Sequence, residues 1–545
     1  MSHHEALITV FTPRGRLTLR TRPDATLREL LQDAHLPLDS RCGGAGACGL
    51  CKLRIADGRS SPIKDSERHA LSEEQIRQGW RLGCQASLLD QGIVFLDDEP
   101  IDSHWHAIPD NDLASDRELA VKSCGRTGLG VAVDIGTTCV RATLWDLAHG
   151  GRLASCSGRN PQAGFGADVL SRLEAAGDGH AQQLCDAIVS AIGEAIDHTL
   201  SSAAGSFGPA DIGHIVIVGN TCMLMLLTET PPAALLDPAA WELPVRLAAG
   251  NRGEWRERWS LREDTAIHVL PPIGGFVGSD LTSCLMATAI SESAPGTLLV
   301  DIGTNTEIAW WDGATLWITS TPGGPALEGV GIACGMPAEP GAVCRLAATG
   351  TPASYNAWVL GNRQPRGLCG SGLVDAVTLL LQDGALQPSG RLSPAAGSSI
   401  TFLANPAEID GEPSPMTLTG RDIDAFQRAK GAIGAAIEAL LKFAGSDFED
   451  IGHLHLCGLF GRHLDLGHAR AIGLIPDLPD ERIHLSGNAA LTGCELALLN
   501  PGALEQTTWL ERRSHLLNLT SVPEFEDIFI KHLRLRPVEG RGWTR

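Results

Sequence analysis

Apolar and polar residues follow three different rhythms along this chain of 545 residues. From Leu7 to Thr21 they alternate on either side of Pro13-Arg14-Gly15, which predicts two strands joined by a tight turn. Asp24-Ala-Thr-Leu-Arg-Glu-Leu-Leu sets a cap-forming residue ahead of an apolar stripe and predicts a helix. Cys51 to Ile55 and Ile93 to Leu96 predict later strands, so residues 1–98 form one small α+β unit. Residues 99–127 are acidic, polar and without period, which predicts a linker. Left flexible, such a segment spans about 30 Å root-mean-square; packed down, it is a fixed arm, and the pattern favours neither. From residue 128 onward, Val/Ile/Leu strands alternate with Ala-rich helices such as Ala181 to Leu200 and Asp422 to Phe443, the rhythm of a larger α/β unit.

Length agrees with this division, because single cores stop growing near ~250 to 300 residues. A net charge of −21 argues against nucleic acid as a partner. The longest apolar run, His214 to Leu227, is broken by Gly219-Asn220-Thr221 and falls short of a membrane span, so no membrane association is expected. Most of the fifteen cysteines are scattered singly and no signal peptide precedes them, which points to a reducing, cytoplasmic setting with most thiols as small buried hydrophobes.

Four cysteines are not scattered. Cys42-Gly-Gly-Ala-Gly-Ala-Cys48-Gly-Leu-Cys51 and the distant Cys84 have the spacing of a [2Fe-2S] ferredoxin, in the variant with five residues in the first gap. The intervening glycines leave room for backbone N–H groups to approach the cluster sulfurs. Gly44-x-Gly46-x-x-Gly49 also imitates a dinucleotide fingerprint, but that motif closes a strand and opens a helix, and here cysteines interrupt it. A zinc site usually pairs two Cys-x2-Cys elements, and only one is present. Residues 6–98 therefore read as a β-grasp ferredoxin domain, with the cysteine loop between the helix and the third strand. One tyrosine, Tyr355, and no further flavin or dinucleotide fingerprint imply that electrons arrive from another protein, a ferredoxin, flavodoxin or reductase.

The larger unit carries an internal repeat. Val131-Ala-Val-Asp134-Ile-Gly136-Thr137-Thr138 recurs as Leu298-Leu-Val-Asp301-Ile-Gly303-Thr304-Asn305. Each copy predicts a buried strand, a polar turn and a second strand (Val140 to Trp145, Glu307 to Trp311). Such turns aim N–H groups and hydroxyls at phosphate oxygens, while the aspartates suit Mg2+ or its water shell. Two copies mark two similar subdomains facing one another across a cleft.

The paired turns resemble the two phosphate motifs of the acetate kinase, sugar kinase, Hsp70 and actin (ASKHA) superfamily. Its third element, a glycine-rich adenosine motif after a strand, resembles His453-Leu-His-Leu-Cys457-Gly458-Leu-Phe-Gly461, with Leu459 where glycine is commoner. Gly487-Asn488-Ala-Ala is expected to begin a last helix whose N-terminus faces the same cleft. A ferredoxin domain fused to this ATPase fold resembles the reductive activators of corrinoid enzymes (RACE family) over nearly the whole chain. Further matching signatures are Asn160-Pro-Gln162, Gly166-Ala-Asp168-Val-Leu-Ser-Arg172, Gly219-Asn220-Thr221, Gly324-Pro-Ala-Leu-Glu328-Gly329, Gly367-Leu-Cys-Gly370-Ser371-Gly372 and Ala429-Lys430-Gly431-Ala.

That resemblance implies a β-grasp ferredoxin domain (1–98), a linker (99–127) and an actin-like, ribonuclease H-like duplicated ATPase domain (128–545). It implies ATP-dependent reduction of Co(II) to Co(I) in a corrinoid protein or cobalamin-dependent methyltransferase. Cys42, Cys48, Cys51 and Cys84 are the expected cluster ligands; Asp134 and Asp301 the Mg2+ and water-positioning residues; Gly136, Thr137, Thr138, Gly303, Thr304 and Asn305 the phosphate contacts; Gly458 and Gly461 the approach to adenosine. Competing readings are an activator like those of 2-hydroxyacyl-CoA dehydratases, a small-molecule kinase with a redox sensor, and a carrier without ATP use. Thr319-Ser320-Thr321 is a candidate for reaching the partner's corrinoid, with an ordinary satisfied turn as the alternative. His3-His4, His104/His106 and His453/His455 lack the company a metal site needs.

Overall fold

A computed structural model describes the chain apart from residues 1–6, 13–14, 23–24, 35, 37, 39–43, 47–48, 50, 72, 97–104, 109–112, 114–125, 167, 350–354, 363–364, 395–396, 398, 404–407, 410–411, 414–415, 501 and 539–545. Contacts divide it into two units: residues 1–106, 137–139 and 158–191, and residues 107–136, 140–157 and 192–545.

The first unit holds a five-stranded sheet in the order Gly15–Arg20, Leu7–Thr12, Gly92–Phe95, Lys52–Asp57, Trp80–Leu82. Leu7–Thr12 pairs antiparallel with its hairpin partner and parallel with Gly92–Phe95, the mixed pairing of a β-grasp. The helix Leu27–Asp33 is capped by Thr26, whose hydroxyl accepts from Glu29 N while Glu29 reaches back, a reciprocal capping box. It buries Leu27, Leu30 and Leu31 against Ile8, Val10, Leu53, Leu82 and Val94. The same unit includes the 3-10 turn Pro161–Gly164 and the helix Val169–Ala175.

The second unit contains two sheets with one plan. In the first, the order is Ala266–Val269, Ile212–Gly219, Leu129–Ile135, Cys139–Asp146, Gly151–Arg159. In the second it is Ile483–Gly487, His453–Cys457, Thr297–Ile302, Thr306–Trp311, Leu316–Thr321, with Ser514–Leu516 added at the edge. Three parallel strands precede an antiparallel hairpin in both. Each sheet is followed by a helix, Ser279–Thr288 and Ala489–Leu499, and these two pack together closely: a Cβ on Gly493 would lie 2.0 Å from Ser283 O. The duplication reaches further than the two Asp-Ile-Gly-Thr turns. Leu281-Thr-Ser-Cys284 and Leu491-Thr-Gly-Cys494 occupy equivalent places on the paired helices. Gly219 and Gly458 likewise each stand where a Cβ would come within 2.6 Å of the carbonyl of an equivalent isoleucine, Ile135 or Ile302.

One expectation needs correction. Ala489–Leu499 is not the last helix; Ala503–Arg513 and Phe525–His532 follow, with the edge strand Ser514–Leu516 between them. Of the linker, only 105–108, 113 and 126–127 are described; of these, Ile108 and Leu113 are buried against Leu491.

Candidate functional site

Cys51 and Cys84 lie in the core of the first unit with their sulfurs 3.3 Å apart and no disulfide between them. That separation suits two thiolates on one iron, since Fe–S ligation in [2Fe-2S] centres is by cysteine. Cys42 and Cys48 fall outside the described residues. The loop between fits a cluster cradle: Gly44, Gly46 and Gly49 all have positive φ, and a Cβ on Gly46 would sit 2.9 Å from Ser66. Gln85 donates its side-chain amide to Gly44 O and Cys84 Sγ. The strand leading to Cys84 is anchored by Arg81, which donates to both oxygens of buried Glu67 at 2.8 Å. Burial pushes the Glu67 carboxyl upward, but Arg81 and the N–H groups of Lys64 and Leu82 hold it below the usual range.

In the second unit four carboxylates converge. Asp134 ends the fully buried strand Leu129–Ile135 and faces Arg141 across the hairpin, with Nη1 donating to Oδ2 at 3.3 Å. Burial raises its pKa and Arg141 opposes the rise. Asp301 is pushed up to about 6 by burial and by Asp134, against the Cys284 thiol, which donates to Oδ2 at 3.3 Å. Asp280, in the first turn of the helix Ser279–Thr288, is pushed up to about 8 by burial, Asp301 and Asp134. Glu307 is raised well above its ordinary value by burial, Asp280 and Asp301, although Ser320 donates to it at 3.2 Å. Among the described residues no cation forms an ion pair with Asp280, Asp301 or Glu307, and Arg141 opposes the rise at Asp301 only through space.

Buried acids that repel one another need a cation from outside, which is the chemistry of a Mg2+ site. No three of them, among the described residues, are placed to chelate a bare ion. Mg2+ keeps several of its waters and is commonly held by one or two carboxylates together with substrate phosphates, so the donor set fits a hydrated ion.

Asp280 and Glu307 escaped the sequence reading. The Leu-Thr-x-Cys repeat would have pointed to Asp280, whose equivalent in the other helix is Ala490. An acid inside the otherwise buried strand Thr306–Trp311 was the signal for Glu307.

The remaining expected residues are placed as follows. Gly303 N donates to Asn305 O at 3.0 Å, closing the second turn. The Thr304 hydroxyl donates to Glu328, so its side chain is engaged by the Gly324–Gly329 signature. Gly324 must be glycine, since a Cβ there would overlap Gly303 O. Gly458 has φ +88, and a Cβ on it would meet Ile302 O and, at 3.2 Å, Asp301 Oδ1, so this glycine is brought against the acid cluster. Gly461 makes no such approach. Asn488 caps the helix Ala489–Leu499, with its Nδ2 buried and without a partner. Thr137 and Thr138 end the first turn and belong with the first unit.

Thr319 is buried and its hydroxyl donates to Leu517 O, Ser320 turns to Glu307, and Thr321, although largely buried, lines an open cavity with Pro322 and Pro325. His453 and His455 gain His484 from the neighbouring strand as a stack with ring centres 5.5 and 4.8 Å away.

Family models match three successive stretches: a 2Fe-2S iron-sulfur cluster binding domain over residues 11–89, the RACo middle region over 129–293, and the C-terminal ASKHA domain of RACo over 296–541. The chain is 30% identical to the corrinoid activation enzyme RamQ of Eubacterium limosum, over 74% of this chain and 69% of that one. The chain belongs to the reductive activators of corrinoid proteins. It is also 25% identical to the [Co(II) methylated amine-specific corrinoid protein] reductase of Methanosarcina barkeri, over 47% of this chain and 49% of that one. A solved reductive activator for a corrinoid, iron-sulfur protein superposes with a TM-score of 0.66 at 25% identity, covering 98% of this chain and 99% of the other. This activator family combines the ferredoxin fold at its N-terminus with the ASKHA fold at its C-terminus. No described helix is long and apolar enough to cross a membrane.

Proposed function

We propose that this protein is an ATP-dependent reductive activator that returns an inactive Co(II) corrinoid, held by a partner corrinoid protein or cobalamin-dependent methyltransferase, to Co(I). The observation that carries the reading is the joint presence, in one chain, of a paired-thiol ferredoxin site and a duplicated fold whose two halves turn buried aspartates toward each other. Its relatives act on corrinoid proteins, as their names state.

Cys42, Cys48, Cys51 and Cys84 hold the [2Fe-2S] cluster, which supplies one electron at a time at low potential, near ~−400 mV for plant-type centres. Asp134, Asp301 and Asp280 hold a hydrated Mg2+ and orient water toward the γ-phosphate. Backbone N–H groups of Gly136, Gly303, Thr304 and Asn305 and the hydroxyls of Thr137 and Thr138 contact phosphate oxygens. Gly458 and Gly461 line the adenosine side, near the capping Asn488. The domains are then 1–98, 99–127 and 128–545, with a ferredoxin, flavodoxin or reductase upstream and the cytoplasm as the place of work.

Corrinoid Co(II)/Co(I) couples lie lower than such a cluster, and each ~59 mV uphill costs about 1.4 kcal/mol for one electron. Nucleotide-driven closure onto the partner offsets this by favouring one of two conformations.

The test is anaerobic: reduced protein is mixed with a Co(II) corrinoid protein, and Co(I) absorbance is followed with and without Mg-ATP. Growth that needs ATP and vanishes in Asp134→Ala and Cys48→Ala is expected. Growth independent of ATP, or no growth with any corrinoid protein despite bound cluster and nucleotide, overturns the reading.

A further inference from the structure

A buried polar chain runs through the first unit from the cysteine loop to Thr137 and Thr138. At one end stands Arg28, in the first turn of the helix Leu27–Asp33. That turn is tied to the Cys84 loop by Leu27 N donating to Ala86 O at 2.8 Å and Arg28 N to Gly83 O at 2.9 Å. The guanidinium lies against the cysteine loop itself. A Cβ on Gly44 would stand 2.8 Å from Arg28 Nη1 and 3.9 Å from Cys84 Cβ.

From there Arg28 Nη2 donates to Gly164 O at 2.5 Å, in the 3-10 turn Pro161–Gly164. Gln162 and Gly164 of that turn are buried, and it is held by several hydrogen bonds. The Asn160 side chain accepts from Gln162 N at 3.0 Å, and Gln162 Nε2 donates to Leu184 O at 2.8 Å. Arg172, 1% exposed, donates through Nε to Gly166 O at 2.9 Å and through Nη1 toward Gln162 Oε1 at 3.4 Å. Its Nη2 reaches Thr137 O at 2.6 Å, and Asn160 N donates to Thr138 O at 2.9 Å. Two guanidinium groups therefore bracket one short segment, the first against the cysteine loop and the second on the backbone of the first phosphate turn.

We propose that Arg28 and Arg172 are positioning residues that couple nucleotide occupancy at Thr137-Thr138 to the redox state of the cluster, through the segment 160–172. The proposal rests on the reading of Thr137 and Thr138 as phosphate contacts and of the cysteine loop as the cluster site. A one-electron reduction adds a negative charge beside the Arg28 guanidinium, which then divides its attraction between the cluster loop and Gly164 O. Any resulting shift of Gly164 is passed through Gln162 and Arg172 to the Thr137 carbonyl, because closely packed, hydrogen-bonded interiors shift between discrete arrangements and do not deform gradually. Coupling of this kind is reciprocal: if reduction changes nucleotide affinity by some factor, nucleotide changes the reduction equilibrium by the same factor.

The experiment uses the full chain with its cluster and Mg-AMP-PNP as probe. Dissociation constants are measured by calorimetry for the oxidised and the dithionite-reduced protein, and hydrogen exchange is followed over residues 25–50 and 158–175 with and without the probe. Expected are affinities that differ at least threefold between the two redox states and slower exchange in both segments when the probe binds. A tenfold difference would appear as a ~59 mV shift in midpoint potential. In Arg28→Gln the two affinities should become equal while the cluster's visible spectrum and binding to the oxidised protein persist; Arg28→Lys, which keeps the charge, should retain part of the difference. Equal affinities and unchanged exchange in the wild type would overturn the coupling alone. A full difference persisting in Arg28→Gln would remove Arg28 from it. No probe binding in either state would overturn the phosphate reading, and the coupling with it. If Arg28→Gln loses its cluster, the wild-type exchange data and Arg28→Lys decide.

Discussion

Asp301 stands directly opposite Glu307 in the antiparallel pair of the second hairpin, whereas the first hairpin sets Arg141 opposite Asp134. The two Val-Asp-Ile-Gly-Thr turns are alike in sequence but their second strands are not, so one aspartate has an arginine across from it and the other has a second acid.

Replacing Asp301 with Asn should lower ATP hydrolysis by about 100-fold or more, the scale seen when one preorganised electrostatic group is removed. Phosphate release measured with saturating Mg-ATP checks this, and a loss below tenfold would take Asp301 out of the reacting site.

Mg2+ should stabilise the wild-type fold in proportion to the acids it relieves. Thermal unfolding in EDTA and in MgCl2 should show a clear gain in Tm that shrinks in Glu307→Gln, because one repelling carboxylate is then gone in both conditions. An undiminished gain would mean that Glu307 does not sense the ion.

Cys84→Ser should abolish the [2Fe-2S] absorbance and bring iron per chain close to zero, since this sulfur lies 3.3 Å from Cys51 Sγ and cannot be replaced by its neighbours. Cys185→Ser, a buried thiol away from the cysteine loop, should keep full iron content. Iron analysis separates the two.

The helix pair at the centre of the duplication should be intolerant of volume. Gly493→Ala should cost about 1 to 3 kcal/mol or more, the usual scale of overpacking, because its Cβ would meet Ser283 backbone at 2.0 Å. Gly420→Ala, with open space around it at the start of the helix Gly420–Phe443, should be neutral or slightly stabilising. Urea unfolding of both variants measures the contrast.

Lys430 ties the C-terminal helix down by donating to His532 O and Arg534 O, each at 2.6 Å. Burial, with Arg536 nearby, brings its pKa down to about 7. An unfolded lysine, at about 10.4, holds its proton across a range where the folded one does not, so stability should rise as pH increases from about 7 toward 10. The slope of Tm against pH should flatten over that window in Lys430→Met, which has no proton to exchange; an unchanged slope would assign it to other groups.

The order of the elements and much of the chemistry were legible in the sequence, because both depend on local rules. A strand buried on both faces, as in Leu129–Ile135, reads as an unbroken apolar run, and cluster ligation leaves its spacing in Cys42, Cys48, Cys51 and Cys84. The repeated Val-Asp-Ile-Gly-Thr declared the duplication before any contact was known. What only the tertiary structure decided is which side chains share a space. Asp280 carries no turn motif in sequence, and only the fold sets its helix where burial, Asp301 and Asp134 act on the same carboxylate. Arg28 resembles an ordinary surface arginine in sequence, and Arg172 shows there only as part of a signature, with no partner indicated. They are buried donors to Gly164 and Thr137 because packing removes water from around them and leaves backbone carbonyls as their partners, and no local pattern records which carbonyls those will be.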